Sequence, residues 1–124
     1  MPSAKIDIQT PDGVCDSYVS YPDQVACVAS FHAGRLAAET PDSVLFLVPK
    51  IKAELYLAHA DNDQSMPRED IEKFHQTLKD AHIKFEDEVY NGAAHGYTMK
   101  DIPAYNEAAL QRHWTKLAAF FERI

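Results

Sequence analysis

Two carboxylates and one histidine lie where they could exchange protons with a substrate. Asp61 and Asp63 follow a predicted strand at 52–58. His95 follows a second predicted strand, at 83–90, and is 32 positions from Asp63, which fits one helix plus one returning strand. Because the carboxyl ends of parallel strands meet at one edge of a sheet, we expect the two loops to lie side by side. A carboxylate there would hold an imidazole in one tautomer and stabilise its charged form.

The remaining histidines are weaker candidates for chemistry. His32 ends an apolar strand, where it either points toward the same edge or serves packing. A metal-dependent hydrolase is a further hypothesis, in which His59, Asp61, Asp63 and His95 would be the metal ligands. That set has no established ligand spacing, so neither a metal nor any other cofactor is expected. The histidines on helices or helix ends are predicted to be solvated: His75, His82 and His113.

The chain offers no residue in the usual setting of an acyl-transfer nucleophile, which is a tight G-x-S-x-G turn between a strand and a helix. Residues 13–17 (GVCDS) come nearest, but a serine replaces the second glycine, and Cys15 starts a predicted hairpin strand. Cys27 lies inside an apolar run, where a buried thiol is unreactive. Ser30 and Ser65 have no flanking glycines. The sequence therefore predicts a base without a nucleophile.

Alternating strands and helices must position these residues. Residues 4–9 and 14–21 are rich in strand formers around a Thr-Pro-Asp-Gly turn, which predicts a β-hairpin. Further strands are predicted at 25–31, 52–58 and 83–90, helices at 67–82 and 104–123, and a short helix or loop at 34–50. This alternation predicts an α/β fold with a mainly parallel sheet and helices on both faces.

Two local expectations follow from the same patterns. Asn91-Gly92 is predicted to end the strand before His95, because this dipeptide is a turn signal. The last helix is expected to bury an apolar stripe at helical spacing, made of Leu110, Trp114, Leu117, Phe121 and Ile124.

Size and charge limit the class of protein. A chain of 124 residues with 46% hydrophobic and 25% charged residues predicts one globular domain over 1–124. A net charge of −7 without a basic cluster argues against nucleic acid or an anionic membrane as partner. With two cysteines and no apolar leader, a cytoplasmic location is expected.

Four segments resemble the dienelactone hydrolase family, the carboxymethylenebutenolidase-like α/β-hydrolases. Residues 5–22 resemble the first hairpin of that family, and residues 25–34 resemble the strand after its nucleophile helix. Residues 63–67 (DQSMP) are similar to the catalytic-Asp loop, and residues 94–97 (AHGY) to the catalytic-His loop.

The resemblance implies hydrolysis of a small-molecule ester or lactone by a nucleophile–His–Asp mechanism. It selects Asp63 rather than Asp61 as the carboxylate that serves His95. Asp61 is then expected to be part of a polar turn or a helix cap. Because the nucleophile is missing, we expect little or no activity. The alternative is a non-catalytic module that dimerises, and the metal-dependent hydrolase is the third possibility.

The resemblance also implies that the fold is truncated. The two matched blocks meet near residues 21–24, where the family has its third to fifth strands and the nucleophile turn. A short turn there permits the hairpin to pair directly with the strand at 25–31 and close the sheet. Since the helices covering the missing strands are absent too, apolar surface is expected to stay exposed and to favour a homodimer.

Overall fold

The structure is a computed structural model that describes residues 3–10, 13–20 and 25–124. The elements, in chain order, are β1 (Ser3–Thr10), β2 (Gly13–Ser20), β3 (Cys27–Phe31), a 3-10 helix (Val44–Lys50), β4 (Glu54–Asn62), α1 (Arg68–Asp80), β5 (Phe85–Ala94) and α2 (Glu107–Glu122). The predicted α/β class with helices on both faces of a parallel sheet is confirmed. None of the helices in these ranges is long and apolar enough to cross a lipid bilayer.

The strands form two sheets rather than one. β1 and β2 pair antiparallel from Ser3↔Ser20 to Thr10↔Gly13, as the hairpin signal predicts. β3, β4 and β5 form a parallel sheet in that order. The closed sheet that a short turn would permit, with the hairpin paired to β3, is not formed by the described residues. Among the described residues β1 and β2 pair only with each other, and β3 pairs only with β4, so β3 is an edge strand of the parallel sheet.

β4 lies at the centre of the parallel sheet because its side chains are apolar on both faces. Leu55 and Leu57 point to one face and pack in a core with Phe74 and Leu78 of α1. The alternate residues point to the other face, where a second core contains Tyr56, Ala58, Ala60, Tyr90 and Phe120. Burial on both faces fixes the register of β4, and thereby the place where its carboxyl end delivers Asp61 and Asp63.

α2 buries a different stripe from the one predicted. Its buried residues are Ala109 and Phe120, whereas Trp114, Phe121 and Ile124 are 57%, 54% and 53% exposed. The helix carries apolar residues on two sides, and periodicity alone does not choose between them. The sheet presents bulky tyrosines to α2, and Phe120 with the small Ala109 fits against them. The predicted stripe is therefore left largely facing solvent.

β5 continues through Asn91-Gly92, so the predicted strand end is wrong. Gly92 has φ +76°, which a glycine adopts without steric cost, and the β4–β5 register shifts between Ala60 and Asn62. Asp61 stabilises this irregularity, because its Oδ2 accepts a hydrogen bond from the Gly92 N–H at 3.1 Å. The strand then runs on to Ala94, immediately before His95.

Candidate active site

Asp63 and His95 meet at the carboxyl edge of the parallel sheet, on loops that follow β4 and β5. The His95 Nδ1 to Asp63 Oδ2 distance is 2.8 Å. The Asp63 side chain is 2% exposed, whereas that of His95 is 50% exposed. The buried carboxylate can thus fix the imidazole, while the ring stays accessible. Within the described residues no hydrogen bond occupies His95 Nε2, which leaves that nitrogen for proton transfer.

Hydrogen bonds keep Asp63 ionised despite its burial. Oδ1 accepts from the Ser65 backbone N–H at 2.8 Å and from the Ser65 hydroxyl at 2.5 Å. Burial by itself raises the pKa of the Asp63 carboxyl, but the hydrogen bonds from Ser65 and His95 outweigh it. The net pKa lies below the usual value. The site therefore presents a carboxylate to the imidazole at neutral pH.

The loop after β5 holds His95 from its far side. Gly96 has φ +86°, and a Cβ there would lie 2.9 Å from Ile102 Cδ1, so this position requires glycine. Tyr97 is fully buried, and its backbone carbonyl accepts from the Asn106 N–H at 3.0 Å. Asn106 in turn caps α2 through the Ala109 N–H. The backbone that carries His95 is thus anchored to the start of α2.

His32 lies beside the Asp63–His95 pair. Of the two roles that the sequence leaves open for it, the structure therefore favours a position at the carboxyl edge of the sheet over packing alone. Its ring meets that of His95 edge-on, with 4.9 Å between ring centroids. His32 Nε2 lies 3.3 Å from the Thr98 hydroxyl, and its backbone has φ +42°. Burial, and then the nearby His95, lower the pKa of the His32 imidazole. A neutral second imidazole therefore borders the site.

The four residues considered as metal ligands in the sequence analysis do not come together to form a metal site. Asp61 is engaged by Gly92 and lies 3.4 Å from Arg68. It sits at the end of β4 rather than in a turn or helix cap, so that expectation is wrong. The nearest carboxylate to His59 Nε2 is Asp87, at 3.9 Å. Across the described ranges no three histidine, cysteine, aspartate or glutamate side chains are arranged to hold a metal ion.

The histidines predicted to be solvated differ from one another. His82 is exposed at the end of α1. His75 is partly exposed and pairs with Asp87 at 2.9 Å. The prediction is wrong for His113, which stacks on Phe31 and hydrogen-bonds the Tyr97 hydroxyl at 3.0 Å. Since α2 turns this side toward the sheet, His113 helps to pack the His95 loop.

Cys27 is too distant to serve the pair. It lies at the amino end of β3, whereas His32 follows the carboxyl end of that strand. The intervening strand spans roughly 13 Å at about 3.3 Å per residue. Its side chain is partly buried against the core beneath α2, less completely than the sequence predicts. The side chain of Cys15 lies outside the described residues, so the structure does not test the prediction made for it.

Two contributors to the site, Ser65 and Gly34, are missed as such by sequence reasoning. The Asp-x-Ser spacing does carry a signal, because an Asp side chain often accepts from the backbone N–H two residues later. Gly34 gives no comparable signal, since its role is a contact with a loop far along the chain.

A parallel sheet with an aspartate and a histidine on consecutive strand ends defines an α/β-hydrolase-like fold. The sequence profile of the dienelactone hydrolase family matches residues 14–124. The chain therefore belongs to the dienelactone hydrolase family, which confirms the resemblance.

Individual relatives agree with this assignment. A "Putative carboxymethylenebutenolidase" of Salmonella typhi is 25% identical over 108 residues, covering 84% of this chain and 40% of the relative. The solved structure of a "Putative Dienelactone Hydrolase" from Klebsiella pneumoniae superposes with a TM-score of 0.70 at 20% identity, covering 82% of this chain and 43% of that one. A dienelactone hydrolase-like promiscuous phosphotriesterase from metagenomic libraries gives a TM-score of 0.64 at 19% identity, with coverages of 79% and 42%. The chain thus spans about 40% of the length of these relatives.

Proposed function

We propose that this chain carries the acid–base half of a carboxylic ester or lactone hydrolase, with His95 as general base and Asp63 as the residue that orients it. The observation that carries the proposal is the 2.8 Å contact between His95 Nδ1 and the buried Asp63 carboxylate. Family membership supports an ester or lactone as the substrate class.

The proposed chemistry uses the second nitrogen of His95. Nε2 accepts a proton from the attacking hydroxyl, thiol or water as the new bond to the carbonyl carbon forms. Asp63 stabilises the resulting imidazolium, which then returns the proton to the leaving alkoxide. The Ser65 hydroxyl lies 3.4 Å from Nδ1, on the side already engaged by Asp63, and so is not placed to give its proton to Nε2. We therefore propose slow hydrolysis in which water attacks directly.

Ester hydrolysis by wild type, His95→Asn and His82→Asn tests the proposal. His82 is the matched control, because it is an exposed histidine with φ +57° that asparagine tolerates. We expect slow hydrolysis in wild type and in His82→Asn, and none above buffer in His95→Asn. We also expect no stoichiometric labelling by a fluorophosphonate. One-to-one labelling, full activity in His95→Asn, or no hydrolysis in wild type would each contradict the proposal.

The exposed stripe of α2 favours a second candidate, a module that pairs with a second copy of this chain. Trp114 and Phe121 are more than half exposed on α2, and Ala118 lies between them on the same helix. In an antiparallel pair about a two-fold axis near Ala118, Trp114 of each copy lies opposite Phe121 of the other. Between Trp114 and Phe121 the only charged residue is Lys116, which pairs with Glu86. Two chains of net charge −7 meet with least repulsion at such a face.

Sedimentation at micromolar concentration tests this pairing. We expect a dimer for wild type and for the exposed-surface control Phe46→Ser on the 3-10 helix, and a monomer near 14.0 kDa for Trp114→Ser/Phe121→Ser. A monomeric wild type, or a dimer that survives the double substitution, would exclude this interface.

A further inference from the structure

Ser65 makes three polar contacts with the Asp63–His95 pair. Its backbone N–H and its hydroxyl both donate to Asp63 Oδ1, at 2.8 and 2.5 Å, and its Oγ lies 3.4 Å from His95 Nδ1. We propose that Ser65 is a positioning residue, which locks the Asp63 carboxylate so that only Oδ2 faces His95. This inference rests on the proposed function.

The carboxylate needs such a lock because its terminal torsion is soft. Rotation about the Cβ–Cγ bond of an aspartate has broad minima, so one contact to Oδ2 does not fix the group. Two donors on Oδ1 hold it from the opposite side, and hydrogen bonds to an ionised acceptor are roughly twice as strong as neutral ones. With Asp63 held in this way, the Nδ1 proton of His95 has a fixed acceptor, which favours the tautomer with its free lone pair on Nε2.

The chain that follows β3 holds Ser65 in place. A Cβ on Gly34 would lie 2.4 Å from Ser65 Oγ and 2.8 Å from Ser65 Cβ. Glycine is needed at this position for space. The Arg35 N–H donates to the Ser65 carbonyl at 2.6 Å, which fixes the backbone on the same side. Residues 34 and 35 thus fix the position of the Ser65 hydroxyl, which in turn orients the Asp63 carboxylate. Neither residue forms a hydrogen bond with His95.

Proton exchange at His95 Nδ1, followed by NMR at neutral pH, tests the inference. We expect exchange with water to be roughly tenfold faster or more in Ser65→Ala, because one hydrogen bond to an ionised group is lost. Gly34→Ala keeps the hydroxyl but displaces it, so we expect faster exchange there as well. Ser43→Ala is the control. Its buried hydroxyl accepts from the Leu45 N–H and has no contact with the pair.

The outcomes separate this inference from the proposed function. If wild type shows no Nδ1 proton on His95, the acid–base pair itself is refuted. Suppose instead that wild type shows the Nδ1 proton. If both Ser65→Ala and Gly34→Ala then exchange it at the wild-type rate, only the positioning role of Ser65 is refuted. Urea unfolding identifies a merely structural serine, because such a residue would lower the unfolding midpoint without changing exchange in the folded protein. Should Ser65→Ala fail to fold, exchange in Gly34→Ala decides the matter by the same criterion.

Discussion

Replacing Asp63 by asparagine should invert the tautomer of His95. Oδ1 of an asparagine can still accept both donors from Ser65, so the amide nitrogen is left facing His95 Nδ1. A donor cannot face a donor. The imidazole must therefore place its proton on Nε2 and accept at Nδ1. An Nε2–H histidine cannot take a proton from an attacking group, and general-base catalysis worth about 100- to 10,000-fold should be lost.

The cost to stability can be worked from the three hydrogen bonds that Asp63 accepts. In Asp63→Asn the two bonds from Ser65 keep their direction, and the bond to His95 is donated by the amide instead. All three change from a charge-assisted bond, worth about 1.5–3 kcal/mol, to a neutral one, worth about 0.5–1.5 kcal/mol. The three losses in hydrogen-bond strength sum to about 3 kcal/mol. Part of this loss is offset, because a neutral amide costs less free energy to bury than a carboxylate. We expect the free energy of unfolding to fall by about 1–3 kcal/mol at neutral pH. Because the pKa of Asp63 is depressed in the folded protein, this difference should shrink as pH falls below about 4.

Histidine nitrogen shifts in NMR spectra report the tautomer, and urea titration reports the free energy of unfolding. Asp61→Asn is the matched control, because it changes a neighbouring carboxylate that binds Gly92 and not His95. We expect His95 to keep its Nδ1 proton in that control. An Nδ1 proton on His95 in Asp63→Asn would refute the argument, whatever the change in stability.

Three further predictions test the surroundings of the site. Gly96→Ala should lower stability by about 1–3 kcal/mol in thermal unfolding, since φ +86° is unfavourable for alanine and the new methyl meets Ile102; an unchanged melting temperature would contradict this. Burial lowers the pKa of His59, partly offset by Asp87, so the unfolded chain binds the extra proton as pH drops below about 6.5. His59→Leu should therefore lose less stability than wild type between neutral and mildly acidic pH, as measured by urea titration; equal slopes would refute it. Cys15→Ala should leave any ester hydrolysis unchanged, and its complete loss in a folded variant would show Cys15 to be the nucleophile.

The Asp63–His95 contact is predictable from sequence because it depends on local order. One helix and one strand separate the two residues, and parallel strands deliver their carboxyl ends to one edge. The choice between Asp61 and Asp63 is not predictable from spacing, since both follow the predicted strand at 52–58. It depends on the bulge at Gly92, which Asp61 stabilises, and the family resemblance is what selects Asp63.

The errors have a common cause in contacts between distant segments. α2 carries two apolar sides, and the shape of the sheet decides which one is buried. Asn91-Gly92 is a turn signal in isolation, but a side chain from β4 keeps the strand paired. Ser65 and Gly34 are missed for the same reason, because their contact joins two loops that are far apart in the sequence. Each depends on side-chain volumes that the local sequence pattern does not report.

The single crossover between β4 and β5 has a consequence for when the site becomes ordered. Forming this βαβ unit brings Asp63 to His95 as part of folding, without help from a bound molecule. The entropy lost in aligning base and carboxylate is therefore borne by the fold before any substrate arrives. If the chain acts as proposed, a substrate meets a pair that is already aligned, and its binding energy remains for orienting the carbonyl. The alignment of the proposed base is therefore independent of which group supplies the attacking oxygen or sulfur.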